Sequence, residues 1–333
     1  MIGSSVQKPY IISADIGTTS TKTLVIDRSG RVLASHSVEY PLFTPAPDMA
    51  EQDPDEIFQA VLTAVRTVVR KAAVLPGQVL CVSFSSAMHS LMAVDKELRP
   101  LTRCITWADN RSAAYVKVLK EELNGLDIYR NTGTPIHPMS PLLKLMWFRD
   151  HRPDMFDQAY KFIGIKEYVF ARLFGKLVID YSIASATGLF NLRRLEWDEG
   201  ALAACGVRRE QLSDPVPTTC ILQGMNANAA ASMGLAEDTP FVVGASDGVL
   251  ANLGVGAGPG SVCRDYRDKR RCERRRARAG DRSARPVVLL CLKGGFLGRR
   301  RGDQQRRHHV PLGARPVSHG GSGRRPAPRN GSV

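Results

Sequence analysis

The amino-acid composition breaks near residue 261, and that break limits what the chain can fold into. Before it, apolar residues recur with strand and helix periods. Past Pro259 the periodicity stops, Arg and Gly dominate, and Leu289-Leu290-Cys291-Leu292 is the lone hydrophobic island. Residues 262–333 hold 21 Lys and Arg against 5 Asp and Glu, which leaves 25 basic and 27 acidic residues in 1–261. The formal charge of +14 and the pI near 9.7 therefore belong to the tail, while the foldable part is slightly acidic. The stretch RRCERRRARAG, Arg270 to Gly280, keeps one alternative open, a nucleic-acid-binding protein that uses the tail as a basic arm.

A chain of 333 residues, 43% of them hydrophobic, can bury a core and would ordinarily make two domains. No apolar run approaches bilayer length, and Met1 to Pro9 lacks the layout of a signal peptide, so a cytoplasmic protein with no membrane partner is expected. The seven cysteines show neither a CxxC pair nor zinc spacing and read as reduced thiols.

Along the chain, YIISADIG and TLVIDRSGRVLASHSVEY, with a turn at Asp27-Arg28-Ser29-Gly30, predict three strands in a meander. A helix follows, with Asp53 as N-cap, Pro54 at its first position, and Ile57, Val61, Leu62, Val65, Val68 and Val69 on one face. QVLCVSFSS reads as a buried strand. Asn110 to Leu123, Pro141 to Phe148 and Ile165 to Leu173 read as helices, Asp214 to Pro240 as loop, and FVVGAS as a further strand. This order describes an α/β fold over residues 8–240, with a second domain beginning at 241–261.

Two stretches have the composition of phosphate chemistry. In Asp15-Ile16-Gly17-Thr18-Thr19-Ser20-Thr21-Lys22, Gly17 lets backbone approach a phosphate, the hydroxyls and amides are donors, and Asp15 can hold a hydrated magnesium ion. In Gly244-Ala245-Ser246-Asp247-Gly248, an aspartate at a strand end among small residues can accept a hydroxyl proton. Taken alone, the first could be an ordinary polar turn and the second an Asx turn or helix cap. Between them lie Met88-His89, Trp107-Ala108-Asp109-Asn110-Arg111 and Asp180-Tyr181-Ser182, polar groups in apolar surroundings of the kind that bind polyols. Each of these alone is equally a cap or a satisfied core group.

Taken together and in order, ADIGTTSTK, AEQDPDEI, SFSSAMHSLMAVD, TWADNRS, IGIKEYVFARLFGKLVIDYSIASATGLFN and GASDGVLANLGVGA resemble the FGGY family of carbohydrate kinases over residues 8–261. MHSLMAVD and TWADNRS look most like gluconate kinases, with xylulose kinases next. The resemblance implies two actin-like, ribonuclease-H-like ATPase domains, the second truncated here, with ATP, Mg2+ and a small sugar or sugar acid between them. It also allows a homodimer and implies no specific nucleic-acid partner. Carried over by motif, Asp247 would be the general base, Asp15 would serve magnesium, and Gly17, Thr18, Thr19 and Lys22 would face the phosphates. Met88, His89, Trp107, Asp109 and Arg111 would line the sugar site, where Arg111 could also meet an aldonate carboxylate. A non-catalytic sugar-binding domain is the other alternative.

The resemblance stops at about Ser261, before a TIGTSG-like phosphate loop and a later NNGG-containing loop that such a kinase would show. Codons permitted by Val262 to Arg274, read one base later, give SAVTIGTSGAAN. The same shift from Pro286 gives a peptide containing GGGATNNGG. The tail is therefore expected to be an out-of-frame, disordered reading of second-domain codons, and weak or absent kinase activity is expected of the chain as written. Resequencing codons 255 to 320 checks this: an extra or missing base near codon 261 is the expected result, and codons that do not yield both loops in the shifted frame refute it.

Overall fold

The computed structural model describes residues 8–255 and the backbone of two short paired strands, Leu290–Leu292 and Gly295–Leu297. The expectation of a disordered, out-of-frame tail otherwise lies outside the described residues. β1 (Tyr10–Ile16), β2 (Ser20–Asp27) and β3 (Val32–Glu39) form the antiparallel meander. Strand alternation places Ile12, Ala14 and Ile16 opposite Val25, Thr23 and Thr21 on one buried face, and Asp15 opposite Lys22 on the other. Asp27 closes the second turn by accepting from the backbone N–H groups of Ser29 and Arg31 at 2.9 and 3.1 Å.

The buried face is covered by α1 (Pro54–Lys71), whose start follows from its sequence. Asp53 accepts from the N–H groups of Asp55 and Glu56, Pro54 occupies the first turn, and Arg70 and Lys71 sit at the negative end of the helix dipole. Ile57, Val61, Val65 and Val68 are fully buried, and Thr23 Oγ1 donates to the Ala64 carbonyl at 2.9 Å. β4 (Val79–Ser86) runs parallel to β1, β6 (Phe241–Ser246) runs parallel to β4, and β5 (Ile221–Leu222) borders β6 antiparallel. The sheet order is β5-β6-β4-β1-β2-β3.

Between β4 and β5 the chain makes a largely helical half with its own core, in which Leu143, Leu145, Met146, Phe148, Phe162, Phe190 and Trp197 are buried together. α2 (Pro141–His151) and α3 (Ile165–Phe174) belong to this insertion, and α3 also packs Tyr168 and Phe170 into the core of the sheet. α4 (Ala227–Met233) lies on α1, and α5 (Asp247–Gly254) continues directly from β6. Among the described residues, no helix is long and apolar enough to cross a membrane.

Three expectations change. The helix predicted from Asn110 is confined to Tyr115–Glu121, because the Asp109 carboxylate takes both the backbone N–H and the guanidinium of Arg111 and holds that stretch in a turn. The predicted loop 214–240 contains the strand Asp214–Val216 together with β5 and α4. The run Ala227-Asn228-Ala229-Ala230-Ala231 shows little contrast between its two faces, although Asn226 caps it and Ala229, Ala230 and Met233 are buried. The domain boundary expected after residue 240 falls too early, since β6 is hydrogen-bonded inside the first sheet and Phe241 and Val243 are part of its core.

The alignment of β6 on β4 depends on a register shift between Val242 and Ala245. At that bulge Gly244 has φ +72°, and a Cβ there would lie 1.8 Å from the Phe84 carbonyl oxygen. Gly244→Ala is expected to destabilise the 333-residue protein by more than about 3 kcal/mol in urea unfolding. A loss below about 1 kcal/mol would mean that the bulge relaxes freely.

Candidate active site at the strand ends

The site begins with a row of residues fixed by register. Asp15 pairs with Ser85, Ser85 pairs with Ala245, and Ile16, Ser86 and Ser246 form the next row. The chain therefore leaves β1, β4 and β6 at a common edge, where Gly17, Ala87 and Asp247 follow. Asp15 Oδ1 is buried and has no hydrogen-bond partner among the described residues. An unsatisfied carboxylate oxygen beside backbone amides and hydroxyls is a donor set that fits a hydrated magnesium ion. Lys22 is exposed on the neighbouring strand directly across from Asp15.

The Gly17–Ser20 turn is held from three sides. Gly17 N–H donates to the Ser20 carbonyl at 3.0 Å, and the Tyr40 hydroxyl donates to the Gly17 carbonyl at 2.7 Å. Gln52 Nε2 donates to the Thr18 carbonyl at 2.6 Å, and the Tyr40 N–H donates to the Thr19 carbonyl at 3.1 Å. Burial pushes the Tyr40 phenol up to about 12, so it is a donor at any ordinary pH. The indole of Trp107 donates to Thr18 Oγ1 at 2.9 Å, which ties the Trp107–Arg111 loop to this turn.

Asp247 opens α5 with its side chain open to solvent and Oδ1 accepting from the Gly248 N–H at 2.6 Å. Neighbouring protein removes part of its hydration and raises its proton affinity, and the charge of Asp15 adds to the rise. Met88 lies over the start of α5, its Cε 3.6 Å from where a Cβ on Gly248 would be. Asp15, Thr18, Met88, Trp107 and Asp247 are thus linked around one strand-end edge.

His89, Asp109 and Arg111 lie behind it. His89 has φ +69°, is buried, and holds the Ala186 carbonyl through Nδ1 at 2.8 Å. Burial and the nearby Lys144 push it down to about 3, which keeps the ring neutral. Asp109 is fully buried and accepts from the Ala50 N–H at 2.7 Å. Arg111 binds Asp109 through Nε and Nη, reaches Glu51 Oε1 at 2.6 Å, and lies over the Trp147 ring at 5.0 Å. These carboxylates take much of the guanidinium's donor capacity.

Sequence reasoning missed four supports. Glu51 and Gln52 were visible only as the approach to a helix cap, yet they hold Arg111 and Thr18. Lys144 on α2 donates to the carbonyls of His89 and Thr106, and burial pushes it down to about 7. Lys166 on α3 pairs with Asp180 at 2.6 Å in the interior, and Ser182 Oγ accepts from the Ser246 N–H at 3.1 Å, just before Asp247. A lysine inside an apolar run, as in Leu142-Leu143-Lys144-Leu145-Met146, was the available signal for the third.

Beside Lys166, burial pushes Glu167 up to about 7, well above its ordinary value of 4.5. The folded state therefore binds more protons than the unfolded state between those values, so this contribution to stability is present below pH 4.5 and is lost as pH rises through about 7. Glu167→Gln is expected to remove that fall from the curve of unfolding free energy against pH. An unchanged slope between pH 4.5 and 7 would show that Glu167 titrates normally.

Comparison with known proteins agrees with this architecture. Residues 10–254 match the model of the N-terminal domain of the FGGY family of carbohydrate kinases. Gluconokinase of Bacillus subtilis is 51% identical over 248 residues, 74% of this chain and 48% of that protein, and xylulose kinase of the same organism is 28% identical over 249 residues. The crystal structure of gluconate kinase from Lactobacillus acidophilus superposes with a TM-score of 0.71 at 40% identity, covering 74% of this chain and 50% of that one. The chain spans about half the length of the curated relatives it matches. The sheet and its helical insertion are those of an actin-like sugar-kinase first domain, and the chain belongs to the FGGY family of carbohydrate kinases.

Proposed function

We propose that this chain supplies the sugar-binding domain and the catalytic base of an ATP-dependent kinase for a sugar acid, converting gluconate to 6-phosphogluconate. The observation that carries the reading is Asp247, an open carboxylate of raised proton affinity at the strand ends, beside Asp15 with its unsatisfied buried oxygen. Asp247 accepts the proton of the attacking hydroxyl while a bond forms between that oxygen and the γ-phosphorus, and the bond to the ADP oxygen breaks. Asp15, with its unsatisfied Oδ1, would hold magnesium, which would neutralise phosphate charge. Gly17, whose own N–H is taken by the Ser20 carbonyl, leaves room for close approach, and the amides of Thr18 and Thr19 and the ammonium of Lys22 meet the phosphates. Catalysis then comes from positioning and charge rather than a covalent intermediate.

Met88 and Trp107 give the sugar an apolar floor, backed by His89, Asp109 and Arg111. Gluconate is favoured over xylulose because identity to the B. subtilis gluconokinase is 51% against 28% to its xylulose kinase. A cytoplasmic location suits a donor such as ATP. The alternative of nucleic-acid binding rests on the tail, outside the described residues.

Isothermal titration of the purified 333-residue protein tests the sugar assignment. Gluconate is expected to bind at least about tenfold more tightly than xylulose, and Trp107→Ala to weaken gluconate by about tenfold through the lost ring contact. Asp247→Asn, which keeps the shape, is expected to leave gluconate affinity within about threefold. Tighter binding of xylulose, or no binding of either sugar, would overturn the sugar-acid reading.

A further inference from the structure

Lys144 is a fully buried lysine in a helix that is apolar around nearly its whole circumference. Its ammonium donates to the His89 carbonyl at 2.6 Å and to the Thr106 carbonyl at 2.8 Å, 55 and 38 residues away in sequence. Those oxygens sit on two separate loops. The first carries Met88 and His89, with His89 held at a positive φ of 69°. The second is the turn in which the Asp109 N–H also donates to the Thr106 carbonyl, at 3.2 Å. Trp107 lies inside that turn and reaches Thr18.

We propose that Lys144 is a positioning residue for the sugar site, fixing the Met88–His89 loop and the Trp107–Arg111 loop at one spacing without touching substrate. The assignment rests on the reading of those loops as sugar-binding. The backbone between them is joined where Leu91 and Ile105 exchange N–H···O=C bonds of 2.9 and 2.8 Å, and farther from the loops where the Leu101 N–H donates to the Ala93 carbonyl at 2.9 Å. On the loop side of that pairing the lysine bridges the His89 and Thr106 carbonyls. Removing its donors leaves the His89 carbonyl buried without a partner and frees a positive-φ residue to relax. A lysine in such surroundings is expensive to bury, and its pKa is lowered to about 7 chiefly by that burial. A methionine or leucine would fill the same volume at less cost, so the retained ammonium is explained by what it holds rather than by packing.

The test compares the 333-residue protein with Lys144→Met, which keeps bulk and removes the donors, and Lys144→Gln, which restores an N–H donor. Hydrogen–deuterium exchange read by peptide and gluconate titration are the two measurements. In Lys144→Met, peptides over residues 87–91 and 106–112 are expected to exchange at least about tenfold faster while β1, β4 and β6 keep their protection. Gluconate affinity is expected to fall at least about tenfold, with Lys144→Gln intermediate on both readouts. Unchanged loop exchange, or exchange raised equally in every element, overturns the proposal. Failure of both variants to fold does so as well, because the lysine would then be a determinant of the fold. Lack of gluconate binding by the unsubstituted protein marks a different failure, that of the sugar-acid reading. Failure of the lysine assignment appears instead as binding by the unsubstituted protein that Lys144→Met retains in full.

Discussion

Everything at the strand-end edge depends on how closely β6 approaches β4. Gly244 is placed where the Phe84 carbonyl would meet a side chain, and the register shift there brings Ala245 opposite Ser85 and Ser246 opposite Ser86. With that alignment the chain leaves β6 level with the ends of β1 and β4, and α5 starts with Asp247 facing the same edge as Asp15. An ordinary strand register would move the following residue along the strand by a step of about 3.3 Å and turn its side chain to the other face. Asp15 and Asp247 could not then be neighbours. The place of Asp247 is therefore set by backbone packing at Gly244, three residues before it.

A second layer fixes the loops that rise from this edge. Lys144, Lys166, Glu167, Asp109 and Asp180 are all buried in or beside the helical insertion, with Arg111 almost as deeply enclosed. Burying so many charges weakens stability relative to an apolar core of the same volume. What the layer provides is geometry: Lys166 spans Asp180 and the Ala245 carbonyl, and Ser182 exchanges hydrogen bonds with Ser246. Apolar side chains tolerate sliding by a fraction of an ångström, whereas hydrogen bonds near 2.6–3.1 Å weaken quickly when misaligned. Each of the loops behind the site is anchored by at least one such polar contact, including the 185–187 segment, which accepts from Thr134, His89 and Ser140.

Local chemistry was legible in the sequence and distant partnership was not. The meander, the Asp53 cap with Pro54, and the strand-end motifs around Asp15 and Asp247 are written in contiguous residues, and each is present where its residues predict it. The shortened helix at Tyr115–Glu121 was only partly legible, because the turn before it is held by Asp109, two residues away, together with Glu51, which meets Arg111 from 60 residues away. α2 shows the same limit from another side. Leu142, Leu145 and Met146 mark an apolar face, from which Lys144 should point to water, yet insertion residues enclose the helix on nearly every side. Periodicity assumes one wet face, and a helix that has none defeats it.

The buried charges also set the net charge behind the candidate site. Asp109, Glu51 and Arg111 together carry a net charge of −1, and Arg111 has most of its donors turned to the two carboxylates rather than outward. An anionic ligand over that group alone would be repelled. Lys144 lies close enough to feel both Asp109 and Arg111, and with its proton it brings the four charges to zero. The charge presented at this edge is then a property of the whole group rather than of a single outward-facing arginine. Residue type in the loop alone does not reveal it, because the compensating charge enters from a helix beneath the loops, donating to their backbone carbonyls.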